Sequence, residues 1–108
     1  MTTGTTIQFD DTSFAEAIGS GKPVLVDFWA EWCAPCRALG PTIDKVAESV
    51  GDDALVGKLN VDDSRQLARD YKVTSIPTII IFKDGEEVNR LVGLQSEDAL
   101  ADAIREAS

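Results

Sequence analysis

A chain of 108 residues, 44% apolar and 27% charged, is long enough to bury one hydrophobic core and leaves no room for a second. Its formal net charge of −9 excludes a nucleic-acid binder, which needs Lys and Arg clustered against phosphate, and the acidic excess reads as solubility. No stretch approaches the roughly 20 apolar residues that span a bilayer, and residues 1–11 carry neither the basic start nor the apolar centre of a secretory signal. The expectation is a single domain over residues 1–108, cytoplasmic, with no membrane partner.

Residues 5–9 alternate weakly and predict a short edge strand. Asp10-Asp11-Thr12-Ser13 offers several N-cap side chains, and Ser13 with Glu16 fits a capping box. Phe14, Ala17 and Ile18 share one face of the short helix that follows, and Gly19-Ser20-Gly21 stops it. Residues 24–30, Val-Leu-Val-Asp-Phe-Trp-Ala, are an almost continuous apolar run rich in β-branched and aromatic side chains, which predicts a strand buried on both faces. Asp27 interrupts that run. An ionised, unpaired carboxylate there costs several kcal/mol, so two readings compete. Asp27 is either a structural residue bonded to neighbouring backbone or a proton acceptor held near a reacting group.

The strand leads into Trp32-Cys33-Ala34-Pro35-Cys36, which holds both cysteines of the chain. A strand that delivers Cys-X-X-Cys to a helix start puts a thiol where unpaired backbone N–H groups and the helix dipole favour negative charge. The thiolate is the nucleophile, so the pattern points to a dithiol that exchanges with disulfides in other proteins. There is no histidine to serve as the usual thiol-activating base, which leaves Asp27 as the best candidate. Three other readings stay open. A zinc site needs four N or S ligands and could form only between two chains, as could a shared iron–sulfur cluster. A purely structural disulfide would close too short a loop to remove much chain entropy, and two unrelated buried thiols would not need this context.

From residue 35 to 50, Leu39, Ile43, Val46, Ala47 and Val50 follow helical spacing. Pro35 suits the first turn, and Pro41 in mid-helix predicts a kink rather than a stop. Gly51-Asp52-Asp53 ends the helix, and residues 54–61 form a third strand. Within it Lys58 is either a surface lysine with a buried stem or a partner for a buried carboxylate; the residues alone favour the surface. Ser64 begins a short helix carrying Leu67 and Ala68 and ending near Tyr71. Pro77 precedes the apolar strand at residues 79–82, where base rates favour a trans peptide. Asp84-Gly85 signals a hairpin to residues 88–92, Gly93 closes it, and Ser96 caps a last helix whose inner face carries Leu100, Ala103 and Ile104. The order β-α-β-α-β-α-β-β-α makes this an α/β fold. Its three alternating units imply parallel strands with right-handed crossovers, the hairpin adds antiparallel pairing, and helices cover both faces of one sheet.

Together, Val26-Asp27-Phe28-Trp29-Ala30-Glu31-Trp32-Cys33, Pro35-Cys36, Lys58-Leu59-Asn60-Val61-Asp62, Ile76-Pro77-Thr78, Phe82-Lys83-Asp84-Gly85 and Val92-Gly93 resemble the thioredoxin family over nearly the whole chain. The resemblance implies a thioredoxin fold, a central five-stranded mixed sheet with four helices packed on both faces. It implies a general protein-disulfide reductase without metal or bound cofactor, working as a monomer. The partners implied are disulfide-containing proteins and a thioredoxin reductase that uses flavin and NADPH. By the same resemblance Cys33 is the exposed attacking cysteine and Cys36 the buried resolving one. Asp27 lies below the pair and relays a proton to or from Cys36, with Lys58 near it, against the residue-only preference for the surface. Pro77 is cis and faces the disulfide. Trp32, Ile76, Pro77 and Gly93 border a shallow apolar groove for the substrate backbone, and Ala34 and Pro35 join this substrate-binding surface. The chain departs from the family at one point, with Ala34 where Gly is usual. The dipeptide between the cysteines influences redox poise, and the retained Pro35 and Asp27 favour a reductant over an oxidase. Two rival readings are a binding module with idle cysteines and an oxidase or isomerase.

Overall fold

Strand β2, Val24–Trp29, is the centre of the sheet, and its near-continuous apolar side chains suit burial on both faces. Around it the computed structural model, which describes residues 5–108, sets β1 (Ile7–Phe9), α1 (Asp11–Ile18), α2 (Ala34–Val50), β3 (Leu55–Asn60), α3 (Arg65–Asp70), β4 (Thr78–Lys83), β5 (Glu86–Val92) and α4 (Glu97–Ala107). The strand order is β1-β3-β2-β4-β5: β3 runs parallel to β2 and to the edge strand β1, while β4 is antiparallel to β2 and β5 to β4. This is the five-stranded mixed sheet of the thioredoxin fold.

Alternation along the strands divides the core between two faces. Leu25, Val56, Ile79 and Ile81 pack under Leu39, Ile43 and Val46 of α2 and Leu100, Ala103 and Ile104 of α4. On the opposite face Val26, Phe28, Leu59, Ile80 and Phe82 meet Phe14 and Ala17 of α1, with Leu67 and Tyr71 from the α3 region against them. There Phe14 stands edge-on to Phe82 and Tyr71, with ring centroids 5.3 and 5.7 Å away. Gly57 on β3 faces Ile7 on β1, and a Cβ there would lie 2.5 Å from both the Ile7 carbonyl and the Phe9 ring, so glycine lets the edge strand close.

Two expectations change. The cap of α1 is Asp10, the first of the candidate side chains, and the capping box pairs Asp10 with Ser13 rather than Ser13 with Glu16. The Asp10 carboxylate accepts from the Ser13 amide at 2.8 Å and the Ser13 hydroxyl accepts from the Asp10 amide at 2.9 Å, a reciprocal box one turn earlier than expected. The reason is the extended backbone of Asp10, φ −118 and ψ −175, directly after β1 ends at Phe9. Second, the β3-α3-β4 unit is not a parallel crossover. A six-residue helix is only about 9 Å long and cannot return the chain along a strand of about 20 Å. Strand β4 therefore starts where β3 and β2 end, Thr78 opposite Phe28, and runs back antiparallel. Pro41 lies within α2, which continues as one helix to Val50. At the hairpin Asp84 and Gly85 both have positive φ, 54 and 84, as a two-residue turn matched to the strand twist requires.

Candidate active site

The crossing from β2 to α2 sets the reacting pair. Cys33 is the N-cap of α2, with extended backbone at φ −95 and ψ 108, and its Sγ accepts a hydrogen bond from the Cys36 amide at 3.2 Å. An N-cap takes one of the four amides that a helix start leaves unpaired, and here a sulfur does so in place of the usual oxygen. Cys33 and Cys36 form a disulfide, with Cα atoms 5.2 Å apart. The exposed Cys33 implied by resemblance needs correcting: Cys33 is 6% and Cys36 1% exposed. Cys33 is covered because Ile76 packs against the pair and brings its carbonyl oxygen to 3.8 Å from Cys33 Sγ. Cys33 keeps the small excess of access.

Ala34 and Pro35 occupy the first turn of α2 and are exposed. Ala34 is not among the positive-φ residues, so its helical backbone suits Ala better than Gly. Ala34→Gly is expected to lower stability by about 0.5–1 kcal/mol, read as a lower denaturant midpoint of the oxidised protein. A higher midpoint would contradict this helix start.

Facing the pair is the turn into β4. The Ile76–Pro77 peptide is cis, the form the resemblance implied, with Ile76 half-buried and Pro77 buried. The Pro77 carbonyl accepts from the Gly93 amide at 2.8 Å, which ties this turn to the end of β5. Gly93 has φ 88, a conformation that favours glycine. Trp32 is 69% exposed, and its indole Nε1 donates to Asp62 Oδ2 at 2.9 Å. Exposed Trp32, adjacent to Cys33 in the chain, and half-buried Ile76, packed against the pair, give the disulfide an apolar border, and exposed Val92 and Leu94 flank Gly93.

Asp27 sits on the face of β2 that α2 covers, alternate to Val26 and Phe28. It is 0% exposed, and neither carboxylate oxygen has a hydrogen-bond partner among the described residues. Burial pushes its carboxyl up to about 7, and the positive charge of Lys58 pulls the other way. Lys58 is the register partner of Asp27 on the adjacent strand. It is half-buried, as a lysine with a covered stem would be, and its register beside Asp27 with its charge acting on that carboxyl favours the partner reading over a purely surface one. Its Nζ lies 5.3 Å from the Trp29 ring centre and beside α2 at Gly40, where a Cβ would stand 3.1 Å from it. No ion pair within 4.0 Å joins Lys58 to Asp27 among the described residues. Trp29 in turn packs against the cysteine pair. Sequence reasoning missed Trp29, Gly40 and Asp62. The signal for Trp29 was present, because period two puts it on the face of Asp27.

The arrangement joins a disulfide at a helix start, a buried carboxylate and an apolar rim. A family model described as thioredoxin matches residues 5–106. The chain belongs to the thioredoxin family. Thioredoxin from Mycobacterium tuberculosis is 47% identical over 104 residues, covering 95% of this chain and 87% of that protein. A bifunctional thioredoxin reductase/thioredoxin from Mycobacterium leprae is 45% identical over 98 residues, 90% of this chain and 21% of that protein. Among solved structures, a mutant thioredoxin from Halobacterium salinarum superposes with TM-score 0.89 at 38% identity, covering 99% of this chain and 95% of that one. As a thioredoxin, the chain is an oxidoreductase of protein disulfides, with Cys33 and Cys36 as its redox-active pair. Among the described residues no helix is long and apolar enough to cross a membrane.

Proposed function

We propose that this protein reduces disulfides in other proteins by a two-step exchange in which Cys33 attacks and Cys36 resolves. The observation that carries the reading is the amide of Cys36 donating to Cys33 Sγ at the cap of α2. A backbone N–H and the positive end of a helix both favour negative charge on that sulfur once the pair is reduced. The Cys33 thiolate attacks one sulfur of a substrate disulfide, the substrate S–S bond breaks, and the other substrate sulfur leaves as a thiolate that takes up a proton. A mixed disulfide then joins Cys33 to the substrate. Cys36 gives its proton to the Asp27 carboxylate and attacks Cys33 Sγ, which re-forms the Cys33–Cys36 bond and expels the second substrate sulfur as a thiolate; that thiolate takes up a proton as Asp27 releases its own to solvent. The substrate gains two electrons and two protons, and the protein loses both thiol hydrogens.

Lys58 moderates the charge of Asp27. Trp32, Ala34, Pro35, Ile76, Pro77 and Gly93 form the surface on which the substrate backbone lies. A thioredoxin reductase returns two electrons to the pair; the fusion of the two activities in the relative from Mycobacterium leprae supports such a partner. The protein works as a cytoplasmic monomer of one domain.

The direction of electron flow separates a reductase from an oxidase. In glutathione buffers the Cys33–Cys36 pair is expected to stay a disulfide at ratios of reduced to oxidised glutathione that fully reduce an oxidase-type pair. Quantifying free thiols after acid quench reads this. Reduction of the pair in buffers that still contain substantial oxidised glutathione would reverse the assignment.

A further inference from the structure

Between α3 and the Ile76–Pro77 turn the backbone has few attachments, although Val73 and Ile76 pack on the core and the Thr78 hydroxyl donates to the Ser75 carbonyl. Helix α3 ends in a left-handed residue, Lys72 at φ 56, with the Val73 amide donating to the Ala68 carbonyl at 2.8 Å and the Lys72 amide to the Arg69 carbonyl at 3.0 Å. The next tertiary backbone bond is Gly93 to the Pro77 carbonyl. Among the described residues the amides of Thr74, Ser75 and Ile76 have no backbone partner, and Thr74 and Ser75 are exposed. Beyond the packing of Val73 and Ile76 on the core, the position of Ile76 against Cys33 therefore depends on how firmly the two ends are held.

One end is held by a side chain from β5. The Arg90 guanidinium donates from Nη2 to the Tyr71 carbonyl at 2.6 Å and from Nη1 to the Lys72 carbonyl at 3.4 Å. Its Nε and Nη2 also grip both Glu87 oxygens at 2.8 Å, a two-pronged pairing that fixes the plane of the fork. Guanidinium charge at the carbonyl end of a helix is favourable, and Arg90 holds the Glu87 carboxyl below the usual carboxylate range. Arg90 is register partner to Ile80 on β4, so the clamp ties the end of α3 to the strand that the Ile76–Pro77 turn enters.

We propose that Arg90, oriented by Glu87, is a positioning residue for protein substrates: it anchors the 71–77 segment so that Ile76 and Pro77 present a fixed surface beside Cys33. This rests on the reading above that Ile76 and Pro77 face the substrate. A protein substrate must fit that surface, whereas a small aromatic disulfide needs only access to the sulfur, so losing the anchor raises KM for the first and spares the second.

The test uses the full chain with dithiothreitol as electron donor, insulin as protein substrate and Ellman's reagent as small disulfide. Arg90→Leu is expected to raise KM for insulin about 3- to 10-fold, with kcat and the Ellman's rate within about twofold of the parent. Glu87→Gln keeps the shape and weakens the fork, and should give a smaller rise of about twofold. Arg90→Lys keeps the charge without the fork, so it should behave like Arg90→Leu, and it decides the question if Arg90→Leu does not fold. A lower melting temperature with KM for insulin unchanged would make Arg90 a structural brace and overturn the proposal. Ile76→Ala separates the two layers. If it raises KM while the Arg90 variants do not, the clamp alone is wrong; if it too leaves KM unchanged, the groove reading falls and the clamp with it.

Discussion

Asp27→Asn is expected to make the protein more stable at neutral pH and slower to finish each exchange. The unfolded carboxyl titrates near 3.8 and the folded one near 7, raised by burial and only partly restrained by Lys58. Below about pH 4 both states hold the proton, and Asp27 carries no ionisation penalty. As pH rises from about 4 to 7 the unfolded chain ionises while the folded one does not. Stability falls by about 1.4 kcal/mol per pH unit, or about 4 kcal/mol in all. Above about 7 both states are ionised and the loss is complete. Asn keeps the shape without the ionisation, so the variant should gain a few kcal/mol at neutral pH and lose the slope between pH 4 and 7. The same change removes the acceptor for the Cys36 proton. Resolution should slow at pH 7 and recover partly above about pH 8.5, where a thiol ionises unaided. Denaturant midpoints and single-turnover rates, each across pH, read the two effects. A variant less stable at neutral pH yet equally fast would make Asp27 a structural residue.

Replacing the two cysteines should abolish turnover for different reasons. Cys33→Ser puts a hydroxyl at the cap of α2, and a hydroxyl stays protonated where a thiol ionises, so the first step should slow by at least about a thousandfold. Cys36→Ser keeps the sulfur that attacks and removes the one that resolves. Its first step should persist within about threefold, while turnover fails because the mixed disulfide accumulates. Rapid mixing of each reduced variant with excess substrate disulfide measures the first step apart from turnover. Equal loss of the first step in both variants would contradict the division of roles.

Much of this site can be read from local pattern. Asp27 stands out because it is a carboxylate inside an apolar run, and the cysteine pair because it follows that run and opens a helical period. What escapes is decided by contacts far apart in the chain. Lys58 shares a face with apolar Val56; its own pattern does not point to Asp27, and it took the family resemblance, then the parallel register with β2, to place it there. The direction of β4 depends on how far a six-residue helix can carry the chain, which strand–helix alternation does not state. Pro77 defeats the base rate for its peptide bond and became legible only through family resemblance. Arg90 left little sequence signal: Glu87 three residues before it hints at an ion pair, but its other partners are the backbone carbonyls of Tyr71 and Lys72, which every residue possesses.

The division of labour between the two sulfurs is tested most directly by trapping the intermediate. Each single-cysteine variant, reduced and incubated with a disulfide-bonded protein, is quenched in acid, digested and mapped by mass spectrometry. The predicted result is a stable mixed disulfide on Cys33 in the Cys36→Ser protein and none on Cys36 in the Cys33→Ser protein. Adducts on Cys36 with none on Cys33 would contradict the account.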